Sequence, residues 1–230
     1  MVVYETIAQR ILLTREEIAE ATSIAGRSKD EITLVAVTKT RSVPEMLESE
    51  PLVDALGENR VQEAYTKKCE AIWNKPWRLI GNLQKNKIRK ALEIFDTIDS
   101  VNSVELAYAL QRILLEKNDR ILPVLIEINT SEEDSKTGVP LDDVSYIADA
   151  VLDCKNLRLE GFMTMAPFTQ NESLVRKSFA KLRQITEEFR VKTGLPLPTL
   201  SMGMSSDFRL AILEGSTLVR IGTALFGSRG

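Results

Sequence analysis

A lysine follows directly on what should be a buried strand. Residues 32–37 form an apolar run that predicts a strand, and Thr38 and Lys39 come next. Such a lysine is either a solvated strand end or an amine placed for chemistry. A neutral lysine amine attacks carbonyl groups and forms Schiff bases. Partial loss of water and a nearby cation, Arg41 or Arg220, would favour that neutral form.

The composition limits which other groups could do chemistry. The chain of 230 residues has no histidine, which excludes Ser-His-Asp and Cys-His nucleophile systems and removes the commonest metal ligand. Cys69 and Cys154 belong to no spaced motif, so we expect buried or half-buried thiols in a reducing compartment, the cytoplasm. We therefore expect no metal site, and any catalysis must use Lys, Arg, Tyr, carboxylates or a cofactor.

Charge and hydropathy argue against two classes of partner. The net charge of −3 is small and has the wrong sign for binding nucleic acid. No apolar run approaches the roughly 20 residues that a membrane span needs, and the charged N-terminus lacks a signal-peptide layout. With 43% hydrophobic and 27% charged residues, the chain can bury a large core. Its length fits one large domain or two small ones, and an α/β barrel over residues 1–230 is a normal single-domain solution at this size.

Predicted strands alternate with helices along the chain. An amphipathic helix over residues 4–25 precedes the first strand. The strands are predicted at residues 32–37, 53–57, 77–81, 97–98, 121–129, 157–165, 200–202 and 217–222. The later helices are predicted after Ser42 and at residues 61–73, 84–95, 103–117, 140–152, 173–192 and 205–215. Ser42 with Glu45, and Asn102 with Glu105, are typical of capping boxes.

This alternation predicts the fold class. Strands that alternate with helices form parallel sheets, and eight such units close most economically into a (β/α)8 TIM barrel with one extra N-terminal helix. A doubly wound open sheet is the alternative. No Gly-x-Gly-x-x-Gly turn follows the first strand to support it.

Small polar residues follow the last two predicted strands. Barrel active sites lie at the C-terminal ends of the strands, and phosphate is commonly bound after the seventh and eighth. Ser205 and Ser206 follow strand seven, and Gly222 and Thr223 follow strand eight. Backbone N–H groups at such turns favour anions, and small residues let a phosphate approach. Because Ser-Ser-Asp is also a good helix cap, the prediction of a phosphate site depends on the two turns together.

A phosphorylated aldehyde would use the lysine and both turns, and pyridoxal phosphate is such an aldehyde. Arg220 alternates with Gly222 along strand eight, so the two could share a face. An arginine that faces the pyridine nitrogen would keep it unprotonated, because two cations repel each other, and would weaken the electron sink. An aldolase that forms a Schiff base on Lys39 without a cofactor is an alternative use of the same barrel.

Seven motifs resemble those of the YggS/PROSC family, the pyridoxal phosphate homeostasis proteins, which are related to the barrel domain of alanine racemase. They occur in the family's order from about residue 34 to the C-terminus. The motifs are VAVTKT, GENRVQE, IGNLQKNK, IDSVNS, GFMTMAP, SMGMSSDF and GSTLVRIGTALFG. The resemblance implies an alanine-racemase-like barrel that binds pyridoxal 5′-phosphate.

The resemblance also implies roles for individual residues. Lys39 is the Schiff-base lysine, Arg220 faces the pyridine nitrogen, and Asn59 lies beside the ring near its phenolic oxygen. Met204 lies close to the phosphate turn. The residues that hold the phosphate are Ser205, Ser206, Gly222 and Thr223.

One motif departs from the family pattern. Many members carry histidines in the third-strand motif, at the places that Arg78 and Asn82 occupy here. If a histidine at either place transfers protons or recognises a ligand in those members, this chain uses another residue for that role or lacks the role.

The resemblance leaves a choice between a carrier and an enzyme. A racemase needs two bases, and in the racemase relatives the second is a tyrosine from an additional domain of a partner subunit. This chain ends with the barrel, and its tyrosines are predicted on helices away from the rim: Tyr4, Tyr65, Tyr108 and Tyr146. We therefore expect a monomeric carrier of pyridoxal phosphate without efficient amino-acid turnover. A weak racemase is the alternative, and enzymes that need the cofactor are candidate recipients.

Two further segments have two interpretations each. Residues 84–90, QKNKIRK, form a basic stretch that is either a solvated helix face or an anion or partner patch beside the cofactor. Residues 129–138, NTSEEDSKTG, form a polar loop that is either a mobile surface loop or a lid over the cofactor.

Overall fold

The computed structural model describes residues 6–116, 120–131 and 137–227. Its eight strands are parallel and form a closed barrel in sequence order, with β8 paired to β1. The strands are β1 (Thr33–Val37), β2 (Ala55–Glu58), β3 (Trp77–Leu79), β4 (Thr97–Val101), β5 (Leu122–Glu127), β6 (Leu157–Met163), β7 (Thr199–Ser201) and β8 (Leu218–Ile221). The predicted (β/α)8 barrel is confirmed, and the open sheet is excluded because no strand is left at an edge.

Helices surround this barrel. They are α1 (Ile7–Ile24), α2 (Val43–Ser49), α3 (Val61–Glu70), α4 (Ile88–Ile94), α5 (Val104–Glu116), α6 (Val144–Leu152), α7 (Glu172–Thr193), α8 (Phe208–Leu213) and α9 (Thr223–Phe226). The helix α1 is the predicted additional helix, and it packs against α8 and α9. None of the described helices combines the length and apolar character that crossing a membrane requires.

Alternate strand residues face two different environments, as the pleat of a strand requires. One set, including Leu34, Ala36 and Leu56, joins the large core between the strands and the helices. A small separate cluster of Val35, Ala55 and Leu218 fills part of the barrel interior. Several other strand residues are buried although they are polar or charged: Glu58, Thr97, Asp99, Ser100, Glu127, Ser201 and Arg220. These buried polar and charged side chains need hydrogen-bond or ion-pair partners within the protein.

Helix starts follow from local capping. The predicted capping box is confirmed at α2, where the Ser42 hydroxyl accepts from the Glu45 N–H and the Glu45 side chain accepts from the Ser42 N–H. At α5 the prediction was wrong by one residue. The Ser103 hydroxyl, rather than Asn102, accepts from the Leu106 N–H at 3.2 Å.

Other boundaries differ by a few residues. The helices predicted at 84–95 and 140–152 each open with a 3₁₀ turn, Lys85–Lys87 and Leu141–Asp143, before α4 and α6. Three parts of these predictions lie outside the described residues: residues 4–5, which include Tyr4, residue 117, and residues 132–136 of the loop predicted at 129–138. The two thiols are free; Cys154 is buried, but Cys69 is exposed, contrary to expectation, because it lies on the solvent side of α3.

Gly161 allows β6 and β7 to approach each other. It pairs with Thr199 and has a φ of +150°. A Cβ atom at this position would lie 1.9 Å from the carbonyl oxygen of Thr199. Because that oxygen belongs to the backbone of β7, a side chain here would push one strand away from the other.

Replacing Gly161 by alanine should therefore cost about 3 kcal/mol or more in the free energy of unfolding, through overpacking and backbone strain. Gly194→Ala is the control, since Gly194 also has a positive φ, +70°, but has nothing within 4 Å of the added Cβ. That control should cost about 1 kcal/mol. Urea denaturation measures both, and equal losses in the two variants would contradict the close-approach argument.

Candidate functional site

Lys39 lies just beyond β1, between the C-terminal ends of β8 and β2. The register of the barrel sets Val35 beside Arg220 and Val37 beside Gly57. Lys39 is half-buried rather than fully exposed. The lysine that sequence analysis selected therefore stands at the rim where active sites of barrels lie, next to the strand that carries Arg220.

Arg41 is engaged away from this rim position. Its guanidinium donates to the carbonyl oxygen of Gly227 at 2.6 Å and lies 3.4 Å from a carboxylate oxygen of Glu45. It also lies 5.3 Å from the centroid of the Phe226 ring. The cation thus binds the C-terminal end of α9, where helix carbonyls favour positive charge. Of the two cations considered as neighbours of Lys39, Arg41 serves to anchor the last helix.

Arg220 is held inside the barrel. Its side chain donates to the Ser201 hydroxyl at 2.6 Å and to the carbonyl oxygen of Thr164 at 2.8 Å. Burial lowers the pKa of Arg220, but the group stays a cation because an arginine pKa lies far above neutral pH. The carboxylates whose fields oppose this lowering are Asp99, Glu127 and Asp207. Arg220 is therefore a fixed positive charge, oriented by the Ser201 hydroxyl of β7 and by a backbone carbonyl just beyond β6.

Arg78 forms a buried ion pair with Asp99. Its Nε and Nη2 atoms donate to the two carboxylate oxygens at 2.8 and 2.9 Å. The Asp99 side chain is fully buried and that of Arg78 is 12% exposed. Two parallel bonds of this kind fix both groups. At the place where the resemblance implies a histidine in many relatives, this chain has an arginine whose two donors are bound to an internal carboxylate.

Glu127, at the end of β5, is another buried carboxylate of the strands. Its side chain accepts a hydrogen bond of 2.7 Å from the Thr137 hydroxyl. Burial raises the pKa of Glu127, while Thr137 and the charge of Arg220 act in the opposite direction. Neither Asp99 nor Glu127 was predicted as a site residue. The available signal was a charge within an otherwise apolar strand.

The turns after β7 and β8 meet through Ser205. Its hydroxyl oxygen accepts from the N–H groups of Gly222 and Ala224, at 3.3 and 3.2 Å. Two backbone donors from one turn therefore converge on an oxygen from the other. Ser206 and Thr223 lie exposed beside this contact. The arrangement suits an anion, because its oxygens can accept from the same donors.

Asp207 shapes the first of these turns. Its Oδ1 atom accepts from the Met204 N–H at 2.6 Å, and it makes no side-chain cap bond to α8. Burial raises the pKa of Asp207, and the Met204 N–H and Arg220 oppose that rise. The helix predicted from residue 205 begins only at Phe208, because residues 205–207 form a turn instead.

Met204 and Ser206 line a cleft of about 570 Å³ on the outer side of the turn. The loop after β6 forms the opposite wall, and its Phe168 side chain is fully exposed. Asn59 lies elsewhere on the rim, in a separate cleft with Asn82 and Lys87. The structure therefore joins Ser205 to Gly222, places Met204 and Ser206 in one cleft, and places Asn59 in another.

The basic segment 84–90 contributes to the cleft beside Asn59. Gln84 and Lys87 line it together with Arg60. Lys90 instead lies over the Tyr65 ring, 3.5 Å from its centroid. Part of the segment therefore borders a predicted cofactor residue, and part covers the surface of α3. The described residues hold no group of His, Cys, Asp or Glu side chains that could bind a metal ion.

Comparison with known proteins gives a family match over most of the chain. The family model described as alanine racemase, N-terminal domain, matches residues 16–230. A pyridoxal phosphate homeostasis protein from Aquifex aeolicus is 37% identical over 225 residues, covering 96% of this chain and 97% of the relative. One from Escherichia coli K12 is 38% identical over 236 residues, covering 97% of each.

A solved structure is also similar. PipY of Synechococcus elongatus, with pyridoxal phosphate bound, superimposes with a TM-score of 0.80 at 34% identity. The match covers 91% of this chain and 100% of PipY. The similarity therefore extends from single motifs to the whole barrel.

The Arg78–Asp99 pair allows a test of the charged interior. Asp99→Asn should reduce the free energy of unfolding by about 3–5 kcal/mol, because it leaves the cation buried without its counter-charge. The control is Glu116→Gln, whose carboxylate pairs with Arg89 at a site where the two side chains are 43% and 60% exposed. That change should cost less than about 1 kcal/mol in urea denaturation. A loss below 1 kcal/mol for Asp99→Asn would contradict the description of the pair.

Proposed function

The chain belongs to the pyridoxal phosphate homeostasis protein family, built on the alanine racemase N-terminal domain, and from this premise we propose that it binds and carries pyridoxal 5′-phosphate. The proposal rests on one observation, the chemical groups that share one rim of the barrel. Half-buried Lys39 stands just beyond β1, and in the turn that follows adjoining β8 the N–H groups of Gly222 and Ala224 converge on Ser205. An amine and an anion cradle are the two features that a phosphorylated aldehyde requires.

The phosphate would be held by the turns after β7 and β8. The Ser205 hydroxyl, with the Gly222 and Ala224 N–H groups, supplies donors from both turns. Exposed Ser206 and Thr223 can add their hydroxyls. Met204 borders the same turn. In the free protein the Ser205 oxygen occupies the acceptor position that a phosphate oxygen would share.

Lys39 would hold the aldehyde. Its neutral amine would attach the aldehyde carbon as a Schiff base, with release of one water. Asn59, at the end of β2 beside β1, would lie next to the ring near its phenolic oxygen. The bound cofactor supplies an electron sink for amino-acid chemistry.

Arg220 would limit the use of the cofactor as an electron sink. Ser201 and Thr164 hold its guanidinium, so the positive charge cannot turn away. Arg220 would keep a pyridine nitrogen bound opposite it unprotonated, because a second positive charge there would be repelled. The result favours storage of the cofactor over its use in catalysis.

Efficient turnover would also need a second base opposite Lys39. The tyrosines among the described residues lie on the outer helices α3, α5 and α6, with exposures of 36%, 49% and 69% for Tyr65, Tyr108 and Tyr146. Asp99 is occupied by Arg78. These positions support a carrier rather than a racemase.

The proposal extends to the setting of the protein. We propose that residues 1–230 act as one barrel domain, monomeric and cytoplasmic, which passes the cofactor to enzymes that need it. The two free thiols fit a reducing compartment.

Removing the Lys39 amine tests the linkage. Lys39→Ala should abolish the yellow absorption of the protein mixed with pyridoxal phosphate, and borohydride reduction followed by mass mapping should label Lys39 in the wild type alone. Lys85→Ala and Lys87→Ala are controls for a general loss of positive charge, and unchanged binding there would also exclude a role for the basic segment. If the wild-type protein stays colourless when mixed with the cofactor, the result supports the aldolase alternative. If borohydride reduction labels a lysine other than Lys39, the assignment of Lys39 as the Schiff-base residue is wrong.

Proton exchange separates a carrier from an enzyme. Loaded protein incubated with L-alanine or L-serine in deuterated water should exchange the α-proton far more slowly than about 1 per second, the lower end of ordinary enzyme rates. Nuclear magnetic resonance follows the loss of the α-proton signal, with Lys39→Ala as the background. Exchange at about 1 per second or faster, a rate typical of enzymes, would contradict the carrier proposal and support the racemase.

A further inference from the structure

An ion cluster with two buried members and one half-buried member lies outside the barrel wall, beside the residues that flank Lys39. Its members are Glu58 of β2 and Glu63 and Lys67 of α3, called here the α3 ion cluster. The Lys67 ammonium lies 2.7 Å from an oxygen of each carboxylate. The Glu58 side chain is fully buried and that of Lys67 is 9% exposed. None of these residues has a part in the binding proposed above.

The cluster holds the residue that precedes Lys39. Lys67 Nζ donates to the carbonyl oxygen of Thr38 at 2.7 Å. The Thr38 hydroxyl donates in turn to the same Glu58 oxygen that Lys67 contacts, also at 2.7 Å. The Thr38 N–H is bound to the Gly57 carbonyl oxygen at 2.9 Å. Every polar group of Thr38 is therefore bound to β2 or to Lys67.

The cluster also holds the residue that follows Lys39. The Thr40 N–H donates to Glu63 Oε1 at 2.5 Å, the oxygen that Lys67 contacts as well. Thr40 has a φ of +63°, a conformation that costs a β-branched residue free energy. Strain of this kind persists only where the surroundings enforce it, and it is concentrated at functional sites. Here the enforcing contact comes from Glu63.

The two carboxylates have different environments. Burial raises the pKa of Glu58 despite the opposing effect of Lys67, and its Oε2 atom has no hydrogen-bond partner in the described parts of the chain. Burial also acts to raise the pKa of Glu63, but Lys67 and the Thr40 N–H outweigh it, so that pKa is lowered. Buried charges arranged this way are costly, and apolar side chains could fill the same space at no greater cost. Their presence therefore calls for a purpose other than stability.

We propose that the α3 ion cluster is a positioning device that fixes the backbone on both sides of Lys39 and so aims its amine into the mouth of the barrel. The inference rests on the proposed function, in which that amine reacts with an aldehyde. Bond formation of this kind is sensitive to placement, and an error of about 1 Å can cost on the order of 100-fold in rate. Glu58, Glu63 and Lys67 act through Thr38 and Thr40 and touch no reacting atom.

The test uses variants of the intact chain, each of which removes one side chain that holds Thr38 or Thr40. Glu63→Ala removes the acceptor of the Thr40 N–H at a site that is 24% exposed, so the fold should tolerate it. Glu63→Gln keeps that acceptor and serves as the rescue. Lys67→Met removes the ammonium, and Lys68→Met, on the adjacent residue outside the cluster, is its control. Urea denaturation first establishes that each variant is fully folded under the assay conditions.

Two rates are then measured. One is the formation of the Schiff base with pyridoxal phosphate, followed by absorbance and mapped to Lys39 after borohydride reduction. The other is acetylation of Lys39 in the cofactor-free protein by an N-hydroxysuccinimide ester, followed by mass spectrometry. In Glu63→Ala and Lys67→Met we expect a Schiff-base rate about 10- to 100-fold lower, because the amine is misplaced. Acetylation should be faster, because the released amine reaches solvent, whereas both rates should stay near wild type in Glu63→Gln and Lys68→Met.

The outcomes separate the inference from the function on which it rests. If the wild type forms the Schiff base and folded Glu63→Ala does so equally fast, the inference is wrong and the carrier proposal stands. If the wild type forms none at Lys39, the proposed function fails. Acetylation of the cofactor-free protein then decides the inference alone, and equal rates in wild type and Glu63→Ala overturn it. If Lys67→Met does not fold, the comparison of Glu63→Ala with Glu63→Gln decides.

Discussion

The pairing of β1 with β8 is the contact on which the rest of the structure depends. It closes the barrel and sets Val35 beside Arg220, so that residues from the two ends of the chain share one rim. Lys39 continues from β1, and the turn at Gly222 continues from β8. Without closure the Lys39 amine would lie at one edge of the sheet, and Arg220 with the proposed anion site would lie at the other.

Closure also creates an interior in which charges must find partners. Burial removes the hydration of these charges at high cost, and the cost is offset only where they find partners. Arg78 is paired with Asp99, and Arg220 donates to Ser201. An apolar interior would be simpler to stabilise. A barrel that keeps oriented charges instead is suited to holding a charged ligand at its mouth, since the charges need not reorganise when the ligand arrives.

Strain and burial are concentrated around Lys39 for a related reason. Thr40 is held at a positive φ, and Glu58 is buried with one oxygen unpartnered among the described residues. Both features cost stability, and both lie within the contacts that fix the lysine backbone. Pre-organisation of a reactive group is commonly accompanied by local strain of this kind.

The sequence by itself determined the elements, the barrel and the residues with evident chemistry. Periodicity and capping depend on neighbours a few positions apart, so the strands, α2 with its Ser42 box and the lysine after β1 could be read directly. Tertiary structure decided which distant groups meet. It directed Arg41 to α9 and Arg78 to Asp99, and it brought Lys67 behind Lys39. Those partners could not be predicted, because they depend on closure of the barrel and on side-chain directions that spacing along one chain does not encode.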